Sequence, residues 1–281
     1  MEISTAGDQQ ALWAAPTVYK PELFADRVVL VSGGGSGIGQ AVALLFARLG
    51  ARVVICGRTM EKLERSCEFA AQHGARMLPL PCDIREPEQI VALYDRIHAE
   101  YGRLDGLVNN AGGQYPGDAI DFAPKGWAAV INNNLNGTWY MMQGAAQYWR
   151  RTGTPGSIVN VVVVTERGMP GIAHTVAARA GVIGASRTVA VEWAPLRIRV
   201  NCVAPGLTAT EGLSVYPPEA QREFPLANPQ KRPGTPMEIA EACVYLTADS
   251  GSFVTGEVLT VDGGGKLWGE LWTAGRPDHY R

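Results

Sequence analysis

An excess of either charge is missing from this chain of 281 residues: 25 lysines and arginines stand against 27 aspartates and glutamates, a formal net charge of −2. A polyanion such as nucleic acid is therefore not expected as its main partner. Long hydrophobic runs are missing too. None approaches the roughly 18 uncharged residues that a membrane-spanning helix needs. The opening MEISTAGDQQ carries Glu2 and Asp8 where a secretory leader would carry basic and then apolar residues, so the expectation is a cytoplasmic protein with no membrane segment. Cysteine is sparse. Its five copies, Cys56, Cys67, Cys82, Cys202 and Cys243, form no CxxC pair, which argues for free thiols in a reducing compartment and against a metal site. Nor is there a linker, repeat or low-complexity stretch between residues 22 and 265. With 46 % apolar and 19 % charged residues, a disordered chain is excluded and a full hydrophobic core can form.

What is present is a rhythm. The β-branched runs RVVLVS, ARVVIC, ARMLPL, RLDGLVNN, GSIVNVVVV, IRVNCVAPG and EVLTVDGG alternate with helical patterns. Near-continuous apolar strands of this kind belong to a parallel sheet covered on both faces. Between the first two runs, Ile38, Ala41, Val42, Leu45, Phe46 and Leu49 mark one helix stripe that closes at Gly50. Ile90, Leu93, Tyr94, Ile97 and Tyr101 mark another, opened by Pro87 and closed by Gly102, as helix stop signals require. Division by about 150 residues per domain would allow two domains. The unbroken rhythm instead predicts an α/β fold, a single doubly wound Rossmann-type domain over residues 22–265 with a parallel sheet of about seven strands. An N-terminal arm (1–21) would precede it and a C-terminal tail (266–281) would follow. Residues 208–236, with six prolines, interrupt the rhythm after a strand's carboxyl end and are expected to form a flap over the substrate. In the tail, Leu267, Trp268, Leu271 and Trp272 predict an ordered apolar helix face.

Ser32-Gly33-Gly34-Gly35-Ser36-Gly37-Ile38-Gly39 follows the first strand and opens the first helix of that rhythm. A dinucleotide pyrophosphate needs glycine backbone and a helix N-terminus at that place, so Gly33, Ser36, Gly37, Ile38 and Gly39 are cofactor-binding candidates. At the end of the second strand an NAD site would carry Asp or Glu for the ribose 2′-hydroxyl. Cys56-Gly57-Arg58-Thr59 stands there, and Arg58 would meet a 2′-phosphate, so the expected cofactor is NADP(H).

The glycine loop, Asp83 after the third strand, Asn109-Asn110-Ala111-Gly112 and Pro205-Gly206 together resemble the short-chain dehydrogenase/reductase family over residues 22–265. The resemblance implies that Asp83 and Ile84 contact the adenine and that Asn110 sits beside the adenosine ribose. It also implies that Thr208 and Thr210 approach the nicotinamide carboxamide and that Pro205 and Gly206 belong to the cofactor site. Asn134, within Ile131-Asn132-Asn133-Asn134-Leu135-Asn136-Gly137, matches the family's catalytic asparagine. A run of three asparagines lowers helix propensity by roughly 2 kcal/mol relative to alanine, which calls for a reason such as a kink. The family's serine position falls on Val163, and its Tyr-x-x-x-Lys pair falls on Thr175 and Arg179. Thr175 and Arg179 keep the i, i+4 geometry, but a threonine cannot act as a phenolic acid and an arginine does not deprotonate.

A narrower resemblance accounts for that departure. Asn109 to Pro116 and Gly168 to Gly181 are similar to a divergent branch holding trans-2-enoyl-CoA reductases and citronellol/citronellal dehydrogenases, in which a histidine followed by a small residue and AARAG replaces the Tyr/Lys pair. His174, next to Thr175, could donate or relay a proton. Tyr115, after the fourth strand, lies where substrate sits in α/β folds. The tryptophans are expected to be core or interface anchors. Catalytic candidates are thus Asn134, Thr175, Arg179, His174 and Tyr115, and Arg179 would also hold the nicotinamide ribose. Reducing a conjugated thioester leaves an enolate, less basic than the alkoxide left by a carbonyl. The missing phenol therefore tilts the expectation toward C=C reduction of an apolar enoyl thioester. The alternatives are a dehydrogenase of a terpenoid or other apolar alcohol or aldehyde, and a non-redox cyclase, isomerase or scaffold that keeps NADP(H). A homotetramer is implied by the resemblance.

Overall fold

The computed structural model describes residues 8–268. Seven strands, β1 (Val28–Ser32), β2 (Arg52–Gly57), β3 (Met77–Pro81), β4 (Gly106–Asn109), β5 (Gly156–Val161), β6 (Ile198–Pro205) and β7 (Val258–Val261), form one parallel sheet in the order β3-β2-β1-β4-β5-β6-β7. Around it run α1 (Gln9–Ala14), α2 (Gly37–Arg48), α3 (Met60–Gln72), α4 (Pro87–Tyr101), α5 (Pro124–Ile131), α6 (Gly137–Thr152), α7 (Ala173–Glu192), α8 (Pro218–Glu223) and α9 (Pro236–Thr247). The domain is the doubly wound Rossmann type that the strand rhythm predicts.

Strand alternation decides the two faces. Val29 and Val31 pack into one core with α2 and α9, while Val28 and Leu30 pack into a second core with α4 and α6. All five residues of β1 are buried for this reason, since side chains two apart share a face and both faces are covered. The α2 stripe is wider than predicted. Gly39 to Ala47 are all buried, because α9 and α1 cover what the sheet leaves open. Gly50 (φ +89°) closes α2, and Gly102 (φ +67°) caps α4 with its amide on the His98 carbonyl at 2.8 Å.

Strand order reverses between β1 and β4, so the crevice at their carboxyl ends is the natural ligand position. The asparagine run sits beside it. Asn132–Asn136 forms one π-helical turn joining α5 to α6, a widened turn of the kind found at functional sites. The described part of the N-terminal arm is docked: Arg48 Nη1 donates to the Trp13 and Ala15 carbonyls at 2.6 and 2.7 Å. Residues 208–236 consist of short helical turns and α8, ending in a capping box in which Thr235 and Glu238 bond reciprocally to open α9. The described start of the tail is a single turn, Gly265–Leu267, with Leu267 exposed; Leu271 and Trp272 lie outside the described residues. No helix among the described residues is long and apolar enough to cross a membrane.

Candidate active site

The glycine turn is built around one serine. Ser32 Oγ accepts the backbone amides of Asn110 and Ala111, each at 3.1 Å, and so ties the end of β1 to the end of β4. Asn110 Nδ2 donates to the Ser32 and Gly33 carbonyls at 3.3 and 3.4 Å. The Asn110 side chain thus braces the turn from behind. Gly33 (φ +70°) and Gly37 (φ +54°) hold left-handed backbone, which side chains other than glycine resist. A Cβ on Gly39 would collide with the Gly33 carbonyl and Asn110. Ser36 caps α2 without a side-chain bond to the first turn, which leaves that turn's amides available to an anion. Thr210 stands across from them, 3.6 Å from where a Gly37 Cβ would be.

Beyond the turn a cleft is lined by Gly35, Ser36, Arg58, Lys62, Asp83 and Ile84 among others. Arg58 is exposed on its rim and makes no hydrogen bond or ion pair among the described residues. Asp83 accepts from Arg85 Nε at 2.9 and 3.1 Å. That guanidinium, with a smaller contribution from Arg58, holds the Asp83 carboxyl below its usual range. Arg85 and Lys62 escaped the sequence reading; both are ordinary surface residues by pattern, and the fold places Lys62 in the lining of the cleft and Arg85 on Asp83. Ile84 is buried against Gly137. At the other end, Gly206 donates to the Val261 carbonyl at 2.9 Å, and a Cβ there would come within 2.7 Å of Asp262. Thr208 is buried with its hydroxyl on the Gly206 carbonyl at 3.0 Å.

Four consecutive residues after β4 organise the remainder. A Cβ on Gly112 would collide with Arg179 Nη2 and lie 2.8 Å from Asn134 Oδ1, so both side chains converge on this backbone. Gly113 exchanges bonds with Asn134: its amide donates to Oδ1 at 2.9 Å and its carbonyl accepts from Nδ2 at 2.8 Å. Asn134 is the candidate that the resemblance marks as catalytic. One of its two N–H groups is spent on the loop, and only the second can serve a ligand. Gln114 Nε2 donates to the Tyr216 hydroxyl, in the stretch after β6, at 2.8 Å. The Tyr115 ring meets His174 edge-on at 4.7 Å, and Phe122 stacks on His174 at 4.4 Å. Tyr216, Gln114 and Phe122 carry no signal in the sequence, because no local spacing relates them.

His174 and Thr175 open α7, and Arg179 follows one turn later. The Thr175 amide donates to His174 Nδ1 at 2.7 Å, with the Thr175 hydroxyl 3.2 Å away. An amide aimed at Nδ1 places the ring proton on Nε2, which is buried without a partner. Burial lowers the His174 pKa, opposed by the backbone of Tyr115 and Ile172, so the ring is neutral at neutral pH. Arg179 is 7 % exposed and its Nη1 is buried without a partner. Burial pulls its pKa down to about 10. Val163, the only half-buried member of Val161 to Val164, supplies no polar atom. The structure thus brings Asn134, Thr175, Arg179, His174 and Tyr115 to one end of the crevice and the glycine turn, Arg58, Asp83 and Ile84 to the other. Two buried polar groups without partners, a guanidinium and an imidazole N–H, are groups a ligand would satisfy.

The geometry is that of a dinucleotide-dependent redox fold, and sequence comparison agrees. The chain belongs to the short-chain dehydrogenase/reductase family: residues 33–266 match the family model described as Enoyl-(Acyl carrier protein) reductase. It is 37 % identical over 255 residues to a peroxisomal 2,4-dienoyl-CoA reductase of Rattus norvegicus, (3E)-enoyl-CoA-producing, covering 88 % of this chain and 86 % of that one. It is 38 % identical over 240 residues to a 3-oxoacyl-(acyl-carrier-protein) reductase of Thermotoga maritima, covering 85 % and 97 %. Among solved structures, the citronellol catabolism dehydrogenase of Pseudomonas aeruginosa PAO1 superposes with a TM-score of 0.80 at 38 % identity, covering 90 % of this chain and all of that one.

Proposed function

We propose that the protein is an NADP(H)-dependent reductase of the C=C bond in an apolar enoyl thioester. The observation that carries the reading is the pair on α7. One turn from the buried Arg179 stands Thr175, with no phenol beside it and no hydroxyl at position 163. Such a site favours a reaction whose charge can be held by fixed potential and neutral donors over one that needs a strong acid.

The residues fit the cofactor. Gly33, Ser36, Gly37, Ile38 and Gly39 would cradle the pyrophosphate, Arg58 the 2′-phosphate, and Asp83 and Ile84 the adenine. Asn110 would wall the ribose, Arg179 would bond the nicotinamide ribose, and Pro205, Gly206, Thr208 and Thr210 would bound the carboxamide. When bound, the reduced nicotinamide supplies the hydride equivalent. Arg179 adds positive potential where the substrate oxygen gains charge, and it keeps that charge at every working pH. The Nε2–H of His174 and the remaining N–H of Asn134 supply neutral donors, while Tyr115 and Phe122 wall off water. Enolate protonation at carbon can then come from solvent.

Similarity to a dienoyl-CoA reductase supports this reading. Similarity to the citronellol catabolism dehydrogenase supports a second, oxidoreduction of an apolar alcohol or aldehyde. NADPH oxidation screened against enoyl thioesters, enals, ketones and alcohols, with product identification, separates them. Saturated thioester from the enoyl substrate is the expected product. Turnover confined to carbonyls and alcohols would overturn the first reading.

A further inference from the structure

The site has no phenol on its own helix and strand, yet residues 208–236 carry one, Tyr216. Strand order places β5 between β4 and β6. A bond from Gln114, after β4, to Tyr216, after β6, therefore spans the carboxyl end of β5, the edge at which Val163 stands. Gln114 Nε2 donates to the Tyr216 oxygen at 2.8 Å. The phenol's own proton is then directed elsewhere and has no acceptor among the described residues. The ring is fixed as well: Phe224 meets it at 5.5 Å and 88°. The neighbours of Gln114 are Gly113, clamped by Asn134, and Tyr115, against His174. The hydroxyl is thus held by the same four-residue loop that contacts Asn134, Arg179 and His174. An amide that donates to a phenol oxygen also stabilises the developing phenolate, which makes the O–H a better donor.

We propose that Tyr216 is a catalytic residue of this site, its hydroxyl donating a hydrogen bond to the substrate's carbonyl oxygen in the place that Val163 and Thr175 leave without a phenol. This rests on the reading of the site as one that reduces carbonyl-conjugated substrates, and it names the group that meets the oxygen. Burial raises the Tyr216 pKa and the Gln114 bond lowers it, with burial the larger, so the phenol keeps its proton at neutral pH and acts as a donor.

The test uses acetoacetyl-CoA, whose enolate mimics the oxyanion and is seen by its own ultraviolet band, bound to the NADP⁺-loaded protein. The parent protein should bind it with an enolate band. Tyr216→Phe keeps the ring on Phe224 and should weaken binding by roughly tenfold to a hundredfold, the range of one hydrogen bond to a charged acceptor, and should lose the band. Gln114→Leu breaks the same bond from the other side but keeps the hydroxyl, and should retain most of both signals. NADP⁺ affinity should be unchanged in both variants. Equal losses in the two variants would make the bond a mere latch and overturn the proposal, as would unchanged binding in Tyr216→Phe or no binding by the parent. If the dependence on Tyr216 holds but no enoyl thioester is reduced, it is the proposed function that fails and not the role of Tyr216.

Discussion

Arg179→Met should make the nucleotide-free protein more stable and its grip on the nucleotide weaker. The guanidinium is buried, makes no hydrogen bond or ion pair among the described residues, and has its pKa pulled from 12.5 to about 10 by burial. A drop of that size costs the charged form about 3 kcal/mol. Because the folded value lies below the unfolded one, the cost is fully present below about 10. It is relieved only as pH rises from there toward 12.5, so it is constant across neutral pH. Methionine has a similar length, needs no solvation and would fill the same space. The expected gain is about 2–3 kcal/mol, an increase in Tm of about 5 °C or more for a chain of this size. Nucleotide reverses the trend, since the ligand's hydroxyls satisfy the arginine and not the methionine. The gap in stability should narrow by about 1.4 kcal/mol for each tenfold loss in affinity at saturating NADPH. Differential scanning calorimetry with and without NADPH reads both effects. A methionine variant that melts below the parent without nucleotide would refute the account of Arg179 as an uncompensated charge, and a gap unchanged by NADPH would refute its contact with the cofactor.

Arg58→Ala should raise the Kd for NADPH by about tenfold or more and leave that for NADH nearly unchanged, because its fork would be spent on a phosphate that NADH lacks; equal losses in fluorescence titrations would count against the assignment. Gly39→Ala should cost about 1–3 kcal/mol and impair nucleotide binding, since the new methyl meets the Gly33 carbonyl and Asn110 in a turn that cannot give way, and unchanged thermal unfolding would contradict this. The pKa of His174 is lowered from 6.5 by burial, so its contribution to stability is present above 6.5 and is lost as pH falls from there toward the folded value. His174→Phe should therefore flatten the fall in urea midpoint between neutral and acid pH, and a parallel fall in both proteins would show that other groups carry it.

Strands and long helices were readable in the chain because one local rule sets each of them. Val28 to Val31 is uniformly apolar because two cores claim it, and Gly102 stops α4 because its left-handed backbone favours glycine. The π turn was readable as an anomaly, three asparagines where a helix resists them, though its geometry was not. What escaped lies in long-range pairs. Gln114 and Tyr216 are 102 residues apart and neither is unusual by type. The pairing of Asp83 with Arg85 is local, yet a short Asp-x-Arg spacing is common on solvated turns and says nothing until the cleft is seen beside it. Docking of the arm depended on Arg48 reaching two carbonyls, which no periodicity records.

Under the proposed function, an arginine at position 179 suits a site whose helix carries Thr175 and not a phenol one turn before it. A buried lysine beside a tyrosine can share its proton economy, and its charge can fall away when burial is severe. At position 179 there is no phenol one turn away, and the cation lies against Gly112 and Asn134 in a site where burial already lowers its pKa to about 10. An ammonium group starts about 2 or more below arginine in pKa and would approach loss of its charge near neutral pH under the same burial. Guanidinium cannot, so the positive potential at the crevice persists whatever the acid chemistry around it does. If proton donation falls to the neutral groups proposed above, Asn134, His174 and Tyr216, a permanent cation on α7 is the part of the arrangement that must not titrate.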